Sequence, residues 1–261
     1  MSVQEDPAKG GIGETIKTVV YAVLIAVAFQ TLFFKPFYIP SGSMKDTLLI
    51  GDYLFVNKMA YGYSRYSCPW GLCPISGRIL ASEPKRGDVV VFRHPGTGND
   101  FIKRLIGLPG DTVQMKDGVL YLNGTEVPQE PAGTFQEIYE PQGGEGRPPS
   151  CANQPKAIGD ICESNRSTET LPNGVRHDVL STGTTPQDNT DIFTVPPGHY
   201  FFMGDNRDNS LDSRFDPPSG VGMLPAENLI GRADRIIFSS AGTSLFAFWT
   251  WRPDRFFKAI N

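Results

Sequence analysis

The residues best placed to do chemistry are a serine, a lysine and a polar loop, far apart in the chain. Ser43 ends the segment Phe37-Tyr38-Ile39-Pro40-Ser41-Gly42-Ser43-Met44, an extended apolar approach that closes in a Pro-Ser-Gly-Ser turn. A serine there is either a nucleophile or, with Asp46 following, the N-cap of a helix in an S-x-x-D pattern. On this segment alone the cap is the better reading. Lys103 moves the balance. It stands in Phe101-Ile102-Lys103-Arg104-Leu105-Ile106, where strand alternation puts it on the face of Phe101 and Leu105 and sends Arg104 to the other side. Among apolar neighbours an ammonium is poorly solvated, so its pKa falls and a neutral amine becomes available to take a proton from a serine hydroxyl. Arg104 cannot serve, because a guanidinium stays protonated in proteins.

A third segment, Gly204-Asp205-Asn206-Arg207-Asp208-Asn209-Ser210-Leu211-Asp212-Ser213-Arg214, is dense in polar groups directly after the apolar run Tyr200 to Met203. If its end is extended, Ser210, Asp212 and Arg214 point the same way, so the carboxylate and guanidinium can pair and Ser210 can hydrogen-bond a neighbour. Calcium is a poor fit: counted from Asp205, the sixth and twelfth positions are Ser210 and Asp216, where an EF-hand loop needs glycine and glutamate. A Ser-His-Asp triad has His94, His177 and His199 to draw on, but none has a catalytic neighbourhood, and they read as loop or surface residues. Zinc is disfavoured because the cysteine spacings are not paired C-x-x-C knuckles and no histidine is near them. No metal and no cofactor is expected.

These residues need a frame. Short apolar runs bounded by Gly, Pro and Asp, namely Tyr53 to Val56, Val89 to Phe92, Phe101 to Ile106, Val119 to Leu122, Tyr200 to Met203 and Arg235 to Phe238, read as strands. No long helical periodicity follows the N-terminal region, so a mainly β catalytic domain is expected. Between residues 125 and 195 the composition shifts to Pro, Gly, Gln, Asn, Ser and Thr, the mark of an inserted, loop-rich subdomain. Arg86-Gly87-Asp88 resembles an adhesion tripeptide but sits where a turn must feed Val89-Val90-Val91-Phe92, and reads as that turn.

Residues 18–34 carry no charge, with Lys17 and Lys35 at the two ends. At about 1.5 Å per residue the run reaches roughly 26 Å, near the hydrocarbon thickness of about 30 Å, so a single transmembrane helix is expected. A cleavable signal peptide usually has a shorter apolar core. Residues 1–17 then form a cytoplasmic segment and 35–261 the extracytoplasmic domain. The four cysteines all follow the span, in the close pairs Cys68/Cys73 and Cys151/Cys162, which suits disulfides in an oxidising compartment. A formal charge of −4 over 261 residues gives no basic footprint, so nucleic acid is not an expected partner. The tail after Leu245 mixes aromatics, among them Trp249 and Trp251, with Arg252, Arg255 and Lys258, a composition that suits either core packing or a lipid interface.

Taken in order, Pro40-Ser41-Gly42-Ser43-Met44, Gly51-Asp52 with Lys58, Arg86 through Phe92, Lys103-Arg104 through Gly110-Asp111, and Gly204 through Arg214 resemble the bacterial type I signal peptidases. The resemblance spans most of the chain outside the insert. It implies a serine endopeptidase of the inner (plasma) membrane, its catalytic domain on the periplasmic side, that removes signal peptides from exported precursors after small-x-small sites. It further implies Ser43 as nucleophile and Lys103 as general base, with Ser210 orienting the lysine and Asp212 with Arg214 supporting that loop. The Ser43 N–H and the Ser41 hydroxyl would hold the oxyanion. Phe37, Ile39, Pro40, Met44 and Ile102 would line shallow pockets for small side chains. The alternative is a membrane-tethered peptide-binding protein that keeps the protease fold without turnover; the presence of Ser43, Lys103 and Ser210 together argues against it.

Overall fold

The computed structural model describes residues 11–68, 71, 73–144, 146–242 and 246–260. The first ten residues and Leu245 of the tail lie outside the described residues. Among the described residues one long helix, α1, runs over Ile12–Leu32 with no buried residue. It is long and apolar enough to cross a membrane. It begins before the uncharged run, and the chain leaves it at Phe33, so that Phe34 already pairs with Asn57 in a strand. Pro36 contributes to that ending, because the residue before a proline is pushed out of the helical region.

The rest is mainly β, as the run pattern predicts. The strands of the first half are β1 (Phe34–Tyr38), β2 (Asp52–Asn57), β3 (Tyr63–Ser64), β4 (Arg78–Ile79), β5 (Val89–Arg93) and β6 (Asp100–Gly107). Then come β7 (Thr112–Lys116), β8 (Val119–Leu122), β9 (Thr125–Glu126), β10 (Gln129–Ile138), β11 (Ile161–Thr170) and β12 (Arg176–Ser181). The last are β13 (Phe193–Thr194), β14 (His199–Met203), β15 (Leu224–Pro225) and β16 (Leu229–Ser239). The principal sheet has the order β1-β2-β16-β5-β6-β14-β15, all pairs antiparallel.

Central β5 is buried from Val89 through Phe92, which explains its unbroken apolar run. Arg86-Gly87-Asp88 is the turn that feeds it, with the Asp88 N–H on the Lys85 carbonyl at 3.0 Å. One core cluster joins Ile39, Met44, Leu54, Val91, Ile102 and Ile236; another joins Val90, Phe92, Leu105 and Phe202. The two lie on opposite faces of β5 and β6, and Lys103, paired with Val90, stands on the face of the second.

The insert contains more regular structure than its composition suggests. β10, β11 and β12 form a three-stranded antiparallel sheet, with β10 exposed or half-buried along its whole length and β12 largely buried. Disulfides join Cys68 to Cys73 and Cys151 to Cys162, the second bracing the far end of this sheet. Among the described residues no group of acidic, histidine and cysteine side chains is arranged to hold a metal.

Candidate active site

Lys103 is the fourth residue of β6 and pairs across the sheet with Val90. Its side chain is 4% exposed and donates to Ser43 Oγ at 2.5 Å. Ser43 is itself buried and lies in a run of turns; no helix starts there, so the N-cap reading is discarded. Burial pushes the Lys103 pKa down from 10.5 to about 8; Asp212 and Asp205 oppose that, and Arg214 adds to it. A depressed pKa alone does not select this lysine. Lys58, also buried, is lowered to about 8, but its ammonium donates to the Ser67 carbonyl, which has no proton to give. The hydroxyl opposite Lys103 is what sets it apart.

The polar loop after β14 braces the pair from behind. Arg214 Nε and Nη2 reach the two oxygens of Asp212 at 2.9 and 3.0 Å, all of it buried. Burial works to raise the Asp212 carboxyl, but the Arg214 charge and hydrogen bonds outweigh it and hold it low. The Asp212 carboxylate also accepts from the Gly204 N–H at 3.0 Å. Ser210 is buried in this loop; its hydroxyl lies near Asp212 and helps depress that carboxyl, but makes no well-formed hydrogen bond, to Lys103 or elsewhere. Gly204 is there because a Cβ would stand 2.3 Å from Ser210 Oγ and 2.6 Å from the Ser43 carbonyl oxygen.

Two features of the site were invisible in the sequence. Arg104, next to the lysine, forks onto Asp205 with Nε–Oδ1 and Nη2–Oδ2 both 2.8 Å, and neither side chain meets solvent. Asn206 holds two consecutive carbonyls: its backbone N–H donates to Ser43 O and its Nδ2 to Gly42 O, each at 3.1 Å. The Gly42 C=O and Ser43 N–H belong to one planar trans peptide, so fixing the carbonyl toward Asn206 turns the Ser43 N–H the opposite way. No spacing rule would have picked Asn206 from its polar neighbours.

Ile39, Met44 and Ile102 share one core cluster with Phe37 packed at its edge, while Pro40 and Ser41 are exposed beside it. The structure therefore joins the apolar candidates, buried beneath an exposed Pro-Ser rim. Two clefts elsewhere, of about 630 and 280 Å³, contain neither Ser43 nor Lys103. His94 lies in the loop after β5, as read, but is buried there; His177 is buried within β12, neither in a loop nor on the surface. The Gly96 and Thr97 N–H groups cap His94 Nδ1, and His177 sits 3.4 Å from Glu169 deep under the loop.

A hydroxyl against a buried amine, set on a mainly β frame behind an apolar helix, has the parts of a serine hydrolase that uses lysine in place of histidine. A family model described as signal peptidase, peptidase S26, matches residues 12–238. The signal peptidase I of Rickettsia akari (strain Hartford) is 38% identical over 254 residues, 91% of this chain and 85% of the relative. That of Rickettsia prowazekii (strain Madrid E) is 40% identical over 233 residues, 84% of this chain and 78% of the relative. A crystal structure of a signal peptidase I from Enterococcus faecalis V583 aligns with 58% of this chain and 97% of its own at 27% identity. Its TM-score of 0.31 is too low to carry an argument about fold. The chain belongs to the S26 signal peptidase family of serine proteases.

Proposed function

We propose that this protein is a membrane-anchored endopeptidase that removes N-terminal signal peptides from exported precursors after small-x-small sites, using Ser43 as nucleophile and Lys103 as general base. The observation that carries this reading is the 2.5 Å contact between Lys103 Nζ and Ser43 Oγ inside an apolar setting that favours the neutral amine. Lys103 takes the Ser43 proton as Oγ attacks the scissile carbonyl. The ammonium then returns that proton to the leaving amine, and the acyl-enzyme is hydrolysed by water that the neutral lysine activates. The Ser43 N–H, aimed by Asn206, and the exposed Ser41 hydroxyl hold the oxyanion. Ser210, not hydrogen-bonded to Lys103 in the free protein, orients the lysine once substrate closes the site, and the Asp212–Arg214 pair supports the loop that carries it.

The substrate lies extended along the shallow rim, so alternate side chains fall on the face over Phe37, Ile39, Pro40, Met44 and Ile102. With the core beneath already filled, only small side chains fit there. Both disulfides lie in the domain beyond α1, which supports an extracytoplasmic placement with α1 in the bacterial inner membrane. The bilayer is thus a second partner, and nucleic acid is not one.

Detergent-solubilised protein is expected to cleave a precursor bearing a small-x-small site, and to leave one with bulky residues at those positions intact. Ser43→Ala and Lys103→Ala are expected to abolish cleavage while keeping the folded state. Full activity in either variant sinks the mechanism.

A further inference from the structure

The insert grips the turn that carries Ser43. Lys45, two residues on, is 4% exposed, and its ammonium donates to Glu137 Oε2 on β10 at 2.5 Å and to Gln142 Oε1 at 2.8 Å. Gln142 Nε2 closes the triangle on Glu137 at 2.8 Å. The lysine's stem lies over Gly42, where an added Cβ would come 3.0 Å from Lys45 Cε. The adjacent Asp46 pairs with Arg166 of β11 at 3.1 Å. Just past Gln142, Gly143 approaches the turn so closely, at φ +63, that a Cβ would stand 2.3 Å from the Pro40 carbonyl oxygen. The same sheet holds the polar loop, since Glu169 of β11 forks onto Arg207 at 2.5 and 2.6 Å.

A buried ion pair adds little net stability, because the cost of desolvating both charges offsets most of their attraction. What it does supply is geometry. Lys45 fills the space beside Gly42, whose own lack of a side chain leaves the backbone before Ser43 free to swing. We propose that the insert is a positioning element of the active site, with Lys45 and Glu137 as the positioning residues that hold the Gly42–Ser43 segment and so the approach of Ser43 Oγ to Lys103 Nζ. This rests on Ser43 being the nucleophile. The insert is thereby part of the catalytic apparatus and not an appendage.

The test uses the full-length protein in detergent with a cleavable precursor. Lys45→Ala, Glu137→Ala and the double variant are each expected to lower kcat roughly 10- to 100-fold, the scale of a misplacement of about 1 Å, with KM little changed. The double loss is expected to match the single losses, because both variants cut one connection. Lys45→Arg is expected to restore most of the rate. Gly143→Ala, which pushes the insert off Pro40 without touching any charge, is expected to give a fall of the same kind. As the turn loosens and water reaches Lys103, the pH at which kcat is half-maximal is expected to move upward in the impaired variants. Glu130→Gln, at the exposed end of the same sheet, is expected to leave all of these unchanged.

Wild-type kcat in both Lys45→Ala and Glu137→Ala overturns the proposal, as does a loss that follows the fall in melting temperature with an unmoved pH profile. Should Lys45→Ala fail to fold, Lys45→Arg and Gly143→Ala decide by the same readouts. Ser43→Ala runs beside them: if it is inactive while the insert variants keep full turnover, only this inference fails, whereas activity in Ser43→Ala removes the reading beneath it.

Discussion

Lys103 Nζ lies 2.5 Å from Ser43 Oγ across 60 residues of chain, and both groups are buried. The lysine arrives on β6 in the middle of a sheet, the serine on a turn beside β1, and the fold closes the gap between them. Everything expected of the chemistry depends on that one contact being made by a neutral amine.

The rate of precursor cleavage is therefore expected to depend on pH through Lys103. With its pKa near 8, the base is mostly neutral above that pH and mostly protonated below it, so kcat/KM is expected to rise through about 8 and fall about tenfold per unit on the acid side. A pH series on purified protein reads this directly. A rate unchanged down to pH 6 would count against a lysine base.

Stability is expected to show the same group with its own sign. The folded pKa, about 8, lies below the ordinary 10.5, so between these values the unfolded chain binds the extra proton and stability rises with pH. At or below pH 8 the buried ammonium costs on the order of 3 kcal/mol. Lys103→Met is accordingly expected to be inactive yet more stable than wild type near pH 7, with the gain shrinking as pH rises toward 10.5. Thermal unfolding of the two proteins across that window checks it; a less stable Lys103→Met at every pH would refute the sign.

Arg104→Met is expected to do the reverse. It leaves Asp205 buried with only Thr47 on its carboxylate, at 2.6 Å, and the loss of one partner from such a pair typically costs about 3 to 5 kcal/mol. Since the Arg104 side chain also holds the Gly87 carbonyl, activity is expected to fall along with the melting temperature. A change below about 1 kcal/mol in unfolding free energy would mean the pair is not worth what its burial suggests.

Ser41→Ala separates catalysis from folding. Ser41 is exposed, so its removal is expected to leave the melting temperature where it is. Loss of one oxyanion donor is expected to reduce kcat by about 100- to 1000-fold. An unaltered kcat would assign the oxyanion to other donors.

The tail offers a separate test of the bilayer as partner. Phe246, Phe248 and Trp249 are 92, 68 and 75% exposed, a concentration of apolar surface that water does not favour. In vesicles, Trp249 fluorescence is expected to be quenched by lipids carrying quenchers on their acyl chains. Absence of quenching in membrane-bound protein would assign this surface to something other than lipid.

Much of the frame was legible in the sequence. The run at Val89 is β-branched or aromatic throughout, that at Phe101 is mostly apolar, both are bounded by turn residues, and both form central strands. The insert was harder to read, because β10 and β11 are polar on both faces and carry no alternation to betray them; backbone pairing and cross-strand contacts hold them instead. The burial of His94 and His177 was not legible because it depends on what packs against them: Phe101 covers the His94 ring at 4.4 Å, and Glu169 faces His177 across the β11–β12 pair.

By itself the sequence determined an apolar helix, a β-rich domain, a lysine on an apolar strand face and a serine at a turn, since each is a matter of local composition and period. Only the tertiary structure decided that this lysine, and not the equally buried Lys58, meets a hydroxyl, that Asn206 aims the Ser43 amide, and that Lys45 ties the turn to the insert. The reason is physical. Desolvation and hydrogen-bond direction are set by groups distant in sequence, and they exist only once packing has expelled the water between them.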